Sequence, residues 1–331
     1  MKRSLVRLLT GWICVVILAS AALAEDPKRP GPPKPPAARA AESPAKYTLR
    51  YRFQPGEMIQ WKVTQETQVE TTVYGTTEVA EANTLSVTAW HLKKVEADGA
   101  ATFEHVLESV EMRQKVSRFM EVRYNSRTDK KVPAVFEPIA KTIGVPLTRV
   151  TLDPKGKVLK LESLAGRAPS AGGSGAEGQS QVLIPLPEKP VAKGQSWSSP
   201  VEVEVSVQNS VTKVKTLETY TLREVQDNVA TIGVATQIVT PIHDPVIEAQ
   251  VVQRESTGTV RFDLKAGRIL SRKIDVDKRV VGFAGHGASV MGYRSRLAAE
   301  LLPTTGDSPA SDGPPSDRAQ SAERPDAAKV K

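Results

Sequence analysis

Met58-Ile59-Gln60-Trp61-Lys62-Val63-Thr64-Gln65-Glu66-Thr67-Gln68-Val69-Glu70-Thr71-Thr72-Val73 decides the fold. Ile59, Trp61, Val63, Thr67, Val69, Thr71 and Val73 fall on one side of an extended chain. Met58, Gln60, Lys62, Thr64, Glu66, Gln68 and Glu70 fall on the other. Side chains alternate across a strand, so a period of two predicts one buried face and one wet face. Val201, Val203, Val205 and Val207 against Glu202, Glu204, Ser206 and Gln208 repeat the pattern more sharply. Parallel strands covered on both sides read as unbroken apolar runs, so this alternation predicts antiparallel sheet.

Turn signals punctuate the chain outward from that stretch: Pro55-Gly56, Tyr74-Gly75, Asp98-Gly99, Asp153-Pro154-Lys155-Gly156, Asp227-Asn228 and Ala266-Gly267. Only 133–143 reads as helical, with Pro133 at its start, Val135, Ile139, Ala140 and Ile143 as its apolar positions, and Gly144 as its stop. The expected fold is mainly β, with long antiparallel curved sheets in two similar halves, half-barrel or sandwich-like, and one short helix near 133–143. The halves are 47–164 and 182–302, joined by a flexible Gly/Ser loop at 165–181.

Three echoes relate the halves, in the same order. Gly56-Glu57 leading to Trp61 matches Gly194-Gln195 leading to Trp197. Leu92 to Phe103 matches Leu222 to Ile232, each with a tight Asp-containing turn. Leu152 to Leu159 matches Phe262 to Leu270. Ordered echoes of this kind predict an internal repeat. The Gly56 to Trp61 opening, the Asp98-Gly99-Ala100 hairpin, the Pro133 to Gly144 helix and the Asp153 to Val158 hairpin give a further likeness. In these the chain resembles an uncharacterised family of exported bacterial β-proteins, a domain of unknown function, over most of 47–302. The family brings no activity, so the resemblance implies fold and location only.

The ends of the chain predict where it works. Lys2, Arg3 and Arg7 precede an apolar run from Leu8 to Leu18, and Ala22-Leu23-Ala24 supplies a small-x-small cleavage site. Residues 1–24 therefore read as a signal peptide, with Glu25 as the mature N-terminus and no transmembrane span left in the mature chain. The sole cysteine, Cys14, follows Gly11-Trp12-Ile13 and lacks a lipidation box. Residues 25–46, with Pro27, Pro30, Pro32, Pro33, Pro35 and Pro36, read as a Pro-rich disordered tether, and 303–331 as a disordered tail. The protein is expected to be exported, periplasmic or extracellular.

Loss of Cys14 with the leader leaves no thiol for disulfide, nucleophile or metal site. The formal charge of +8 falls to +5 without Lys2, Arg3 and Arg7, and basic and acidic residues alternate, which describes a solvated face and not a nucleic-acid site. Gly173-Ser174-Gly175-Ala176-Glu177-Gly178 spells a dinucleotide fingerprint, but inside a linker with no helix to receive a pyrophosphate. His91, His105, His243 and His286 show no helical zinc spacing. A tight Asp98-Gly99 hairpin would set His91 opposite Val106, so His91 and His105 could pair only through a bulge; His243 and His286 read as turn residues. Asp275, Asp277 and Arg279 share a face, as on a charged outer surface. No nucleophile elbow occurs, and aromatic residues at 5% are too few for sugar platforms.

No catalytic, cofactor-binding or metal residue is therefore assigned. The expectation is a non-catalytic exported β-protein of the cell envelope, with no cofactor; a hydrolase, whose carboxylate pair would be set by distance in space and not by sequence spacing, is the remoter alternative. Its partner would be an apolar ligand or lipid held between curved sheets, or another envelope protein that it scaffolds. Face-to-face sheets around a filled core and half-barrels lining a groove predict the same alternation.

Overall fold

The computed structural model describes residues 45–164, 183–207, 210–285 and 287–303. The leader, the tether up to residue 44, the Gly/Ser loop at 165–181 and the tail from residue 304 lie outside them. The first half contains β1 (Lys46–Tyr47), β2 (Met58–Val73), β3 (Thr76–Val95), β4 (Ala101–Val116), β5 (Val122–Asn125), β6 (Pro146–Leu152) and β7 (Val158–Ser163). The second contains β8 (Val191–Ala192), β9 (Ser196–Val207), β10 (Ser210–Gln226), β11 (Val229–Ile238), β12 (Thr257–Asp263), β13 (Arg268–Val281) and β14 (Ser289–Leu301).

All but β1 and β8 join one antiparallel sheet, in the order β7-β6-β4-β3-β2-β14-β13-β12-β11-β10-β9, with β5 beside β4. The halves meet where the first long strand pairs with the last, from Ser289 opposite Val73 to Leu301 opposite Trp61. The mainly β antiparallel fold is as expected. Among the described residues the barrel is not closed, because β7 and β9 do not pair with each other.

The first helix is a 3-10 turn at Ala134–Phe136 running into α1 (Glu137–Ala140). The sequence reading gave the second half no helix, and here the structure corrects it. α2 (Pro245–Val251) and the 3-10 turn Val252–Arg254 stand between β11 and β12, as α1 stands between β4 and β6. Asp244 accepts a hydrogen bond from the Val246 N–H at 2.8 Å, and Pro245 supplies a preset φ at the first turn.

One end of the sheet carries Asp-bearing turns. The side chains of Asp98, Asp153 and Asp263 each accept backbone N–H bonds within their turns, and Asp227 and Asn228 adopt positive φ. Two arms cross this end and pair through β1 and β8. The first arm touches both halves: Tyr51 N–H donates to Pro154 O at 2.8 Å, and Arg52 N–H to Gly267 O at 3.0 Å. Its aromatic rings pack into the core, Phe53 against Phe103 at 4.7 Å and Tyr51 against Phe262 at 5.6 Å. Leu49, Trp61, Leu152, Leu222, Ile232 and Phe262 share one apolar cluster drawn from both halves. The core is filled at this end.

Candidate functional site

The filling stops partway along the strands. On β2 the inward positions Ile59, Trp61 and Val63 are buried, and from Gln65 through Thr67 to Val69 they are only half-buried. The arms reach no further, and the inner face is covered there by α2 and its 3-10 turn. Val251 packs on Val203, Val205 and Val214, and Val252 packs on Val280 and Met291. Between this cover and the sheet lies a cavity of about 180 Å³.

The cavity has two characters. Ile274, Val276, Tyr293 and Leu297 give it an apolar wall, and Thr216, Glu218 and Arg272 give it a polar one. Arg272 is a buried charge whose guanidinium donates to Leu183 O at 3.1 Å. Tyr220, beside Glu218, donates its hydroxyl to Glu218 Oε2 at 2.5 Å and stacks on Trp197. Burial first, and then the Glu218 carboxylate, push the Tyr220 hydroxyl well above the usual phenol range, so it remains a donor. An apolar wall facing hydrogen-bonding groups suits an amphipathic ligand. The cavity is open to one side and has room for part of a ligand, and the half-buried inner face of β2 continues it.

The outer face holds a larger concavity, about 720 Å³, of a different kind. Asp275 bonds Arg296 at 3.0 Å and Asp277 bonds Arg294 at 3.4 Å, and Glu66, Gln68, Glu81 and Asn83 extend these rows over β2 and β3. Asp277 and Arg279 also line a neighbouring groove of about 290 Å³. The paired charges are exposed on both sides, which makes this the solvated face expected for Asp275, Asp277 and Arg279.

The hairpin register differs from the expected one. The turn is one residue wider than a tight Asp98-Gly99 turn, with Val95 opposite Ala101, and Lys93 is bulged out of β3; together these set His91 opposite Glu104 and His105 opposite Trp90. The two histidines lie on opposite faces and form no pair. Glu104 instead binds Arg149 at 2.6 Å and Lys93 at 2.9 Å, which hold its carboxyl below the usual range. Burial against the sheet pushes the His105 imidazole down to about 4. His243 is exposed before the α2 cap. His286 and the 173–178 glycine fingerprint lie outside the described residues. Among the described residues no three His, Cys, Asp or Glu side chains are grouped to hold a metal ion, and no helix is long and apolar enough to cross a membrane.

Sequence reading assigned no site residue, and so missed Gln65, Thr216, Glu218, Arg272 and Ser295 around the cavity. Their signal was present as polar residues on otherwise apolar faces, Gln65 after Trp61 and Val63 above all.

No curated protein matches the chain. Among solved structures it is similar to lipovitellin, from a structure of lipid–protein interactions in that protein, at 13% identity and a TM-score of 0.45. That similarity covers 79% of this chain and 27% of lipovitellin, so the chain spans about a quarter of that protein's length. It is also similar to DynF of the dynemicin biosynthesis pathway of Micromonospora chersina, at 8% identity and a TM-score of 0.18, over 83% of this chain and 92% of DynF. Residues 176–269 match the model of a family of unknown function, DUF6263, consistent with the resemblance to an uncharacterised domain seen in the sequence.

Proposed function

We propose that this is an exported, non-catalytic envelope protein that binds an amphipathic, chain-like ligand, such as a lipid, on the inner face of its curved sheet. The observation that carries this reading is the 180 Å³ cavity, apolar along Ile274, Val276 and Leu297 and polar at Glu218 and Arg272. An acyl chain gains by burying area on the first wall, at roughly 25 cal/mol per Å², and a polar head finds hydrogen-bonding partners on the second. Export is supported by Lys2, Arg3, Arg7, the Leu8 to Leu18 run and Ala22-Leu23-Ala24. The same reading takes the halves as copies of one β-unit, supported by their shared element order and by bulges at Lys93 and Arg223 in matching hairpins.

Native mass spectrometry of the protein purified from its own envelope tests the ligand. Retained lipid released by denaturation is the expected result, and a bare polypeptide mass after gentle extraction overturns it.

A scaffold reading has one observation in its favour. The edge strand β7 begins with Val158 and Leu159 exposed and is followed by exposed Leu164, which suits addition of a strand from a partner. Crosslinking from this edge to an envelope protein, with no lipid retained, would favour it.

A further inference from the structure

We propose that the end of the sheet bearing Tyr74, Phe119 and Met120 docks on an anionic lipid surface. The two ends of the sheet differ in chemistry. At one, the hairpin turns are built on Asp98, Asp153, Asp227 and Asp263. At the other lie the Tyr74-Gly75 turn, the 117–121 turn between β4 and β5, and residues 282–285 and 287–288 between β13 and β14.

These three turns touch. The Ser117 N–H donates to Val79 O at 2.9 Å, and the Val79 N–H donates to Ser117 Oγ at 2.5 Å, fastening the 117–121 turn to the β2–β3 hairpin. Tyr74 N–H donates to Ala288 O at 3.2 Å, fastening that hairpin to the next loop. Tyr74 is 75% exposed, Phe119 71% and Met120 89%. Among the described residues, they are the exposed large apolar side chains that are aromatic or carry a thioether, and all three sit at this end. Single exposed apolar groups need no explanation; adjacent Phe119 and Met120 on one turn bury little of their surface in the fold. A turn tip presents no groove to a peptide. Aromatic and long apolar side chains do insert between lipid headgroups.

The charge around the tip selects the headgroup. Residues 113–123 hold Arg113, Lys115, Arg118 and Arg123 against Glu121, while the hairpin they are fastened to adds Glu78 and Glu81, so the excess of cations lies on the 117–121 turn side. Glu121 is already bound by both Arg113 and Arg123. Arg118, beside Phe119, is exposed and makes no ion pair to a described residue, and Lys115 is exposed opposite Glu81 of β3. Each such cation near an anionic bilayer is worth roughly fivefold in partition.

The test is co-sedimentation of the chain beginning at Glu25 with vesicles of phosphatidylcholine alone and of phosphatidylcholine with one quarter phosphatidylglycerol. We expect binding to the anionic vesicles that weakens with salt. Phe119→Ser with Met120→Ser should lower it at least tenfold, and Lys115→Glu with Arg118→Glu should lower it similarly and flatten the salt dependence. All four positions are on the surface, so melting curves should not move. Equal binding by wild type and variants, no binding to anionic vesicles, or a dimer in solution that the variants dissolve would each overturn the proposal. None of the four lines the inner-face cavity, so ligand retention there reads out separately.

Discussion

Leu92 and Leu222 make the same backbone hydrogen bond at corresponding corners of the sheet. The Leu92 N–H donates to Glu57 O at 2.9 Å, and the Leu222 N–H donates to Gln195 O at 3.0 Å. Each acceptor follows a glycine of positive φ, Gly56 at 77° and Gly194 at 83°. Each leucine precedes a bulge, at Lys93 and Arg223. A second pair of bulges, at Leu159 and Leu270, follows the two echoed Asp hairpins. Bulges sharpen twist, so matching bulges bend both halves at matching places.

That correspondence extends to two glycines on which the arms rest. A Cβ on Gly156 (φ 81°) would lie 2.7 Å from the Tyr51 ring and 2.8 Å from Ile184 O; one on Gly267 (φ 66°) would lie 2.6 Å from Arg52 Cγ and 2.8 Å from Arg50 O. Gly56 has the same left-handed backbone with open space around it. We expect Gly56→Ala to cost about 1–2 kcal/mol from backbone strain alone. Gly156→Ala and Gly267→Ala should each cost more, because the arm must also move. Denaturant midpoints of the three variants measure this, and equal values would mean that the close approach bears no weight.

Tyr51 fixes the second arm as well as the first. Its hydroxyl donates to Ile184 O at 2.9 Å and accepts from the Ile184 N–H at 3.0 Å. Tyr51→Phe keeps the ring stacked on Phe53 and leaves both buried Ile184 groups unmet. The expected loss is about 1–3 kcal/mol by urea unfolding. A neutral substitution would show that 183–187 is held by its side chains and by Arg50, which reaches Pro187 O at 2.7 Å.

The strands and their faces were legible because alternation is dictated by the pleat and needs no tertiary context. Tyr74 at φ 49° and Gly75 at 79° form the tight turn that their residue types announce. What escaped is what depends on neighbours. Asp244-Pro245 is a good helix start, but α2 is short and is stabilised by packing on Val203 and Val280, which lie far away in sequence. The His91 register was missed because the turn is one residue wider than its residue types announce and the bulged Lys93 adds a second shift. The cavity left only a faint trace, a polar Gln65 on an apolar face.

Opposite faces of one strand should respond oppositely to charge. Val63 and Val205 are buried, while Lys62 and Glu204 are exposed. Val63→Asp or Val205→Asp places an unpaired carboxylate in a core and should cost several kcal/mol or more. Lys62→Glu and Glu204→Lys should stay within about 0.5 kcal/mol. Thermal melts of the four variants check both registers at once, and comparable losses on both faces would contradict the assignment.

His105 gives stability a pH dependence of predictable sign. Its folded value, about 4, lies below the ordinary 6.5 because burial disfavours the cation. Between those values the unfolded chain binds the extra proton, so stability is full above about pH 6.5 and falls as the pH drops through 4. The size of the effect is on the order of 3 kcal/mol at its limit. His105→Phe retains a ring against Trp90 and should flatten the curve over that window. The Glu104 carboxyl, held low by Arg149 and Lys93, acts at lower pH and remains in the variant. An unchanged slope between pH 6.5 and 4 in His105→Phe would assign the dependence to other groups.

Filling the inner-face cavity separates ligand binding from folding. Leu297 lies on β14, opposite Gln65 of β2 and Ile274 of β13, and is half-buried at the edge of the main core. A larger ring there would project into the 180 Å³ space between the sheet and residues 253–256. Overpacking a tight core costs about 1–3 kcal/mol, but a cavity with room takes the added volume at less cost. Leu297→Trp should therefore retain the wild-type melting temperature within a few degrees and lose the lipid that native mass spectrometry is expected to find on the parent. Arg272→Gln removes the polar anchor and keeps the apolar wall, so it should weaken retention of charged lipids more than of neutral ones. Retention of lipid by Leu297→Trp at the parent level, in a folded protein, would move the ligand elsewhere and end the case for this cavity.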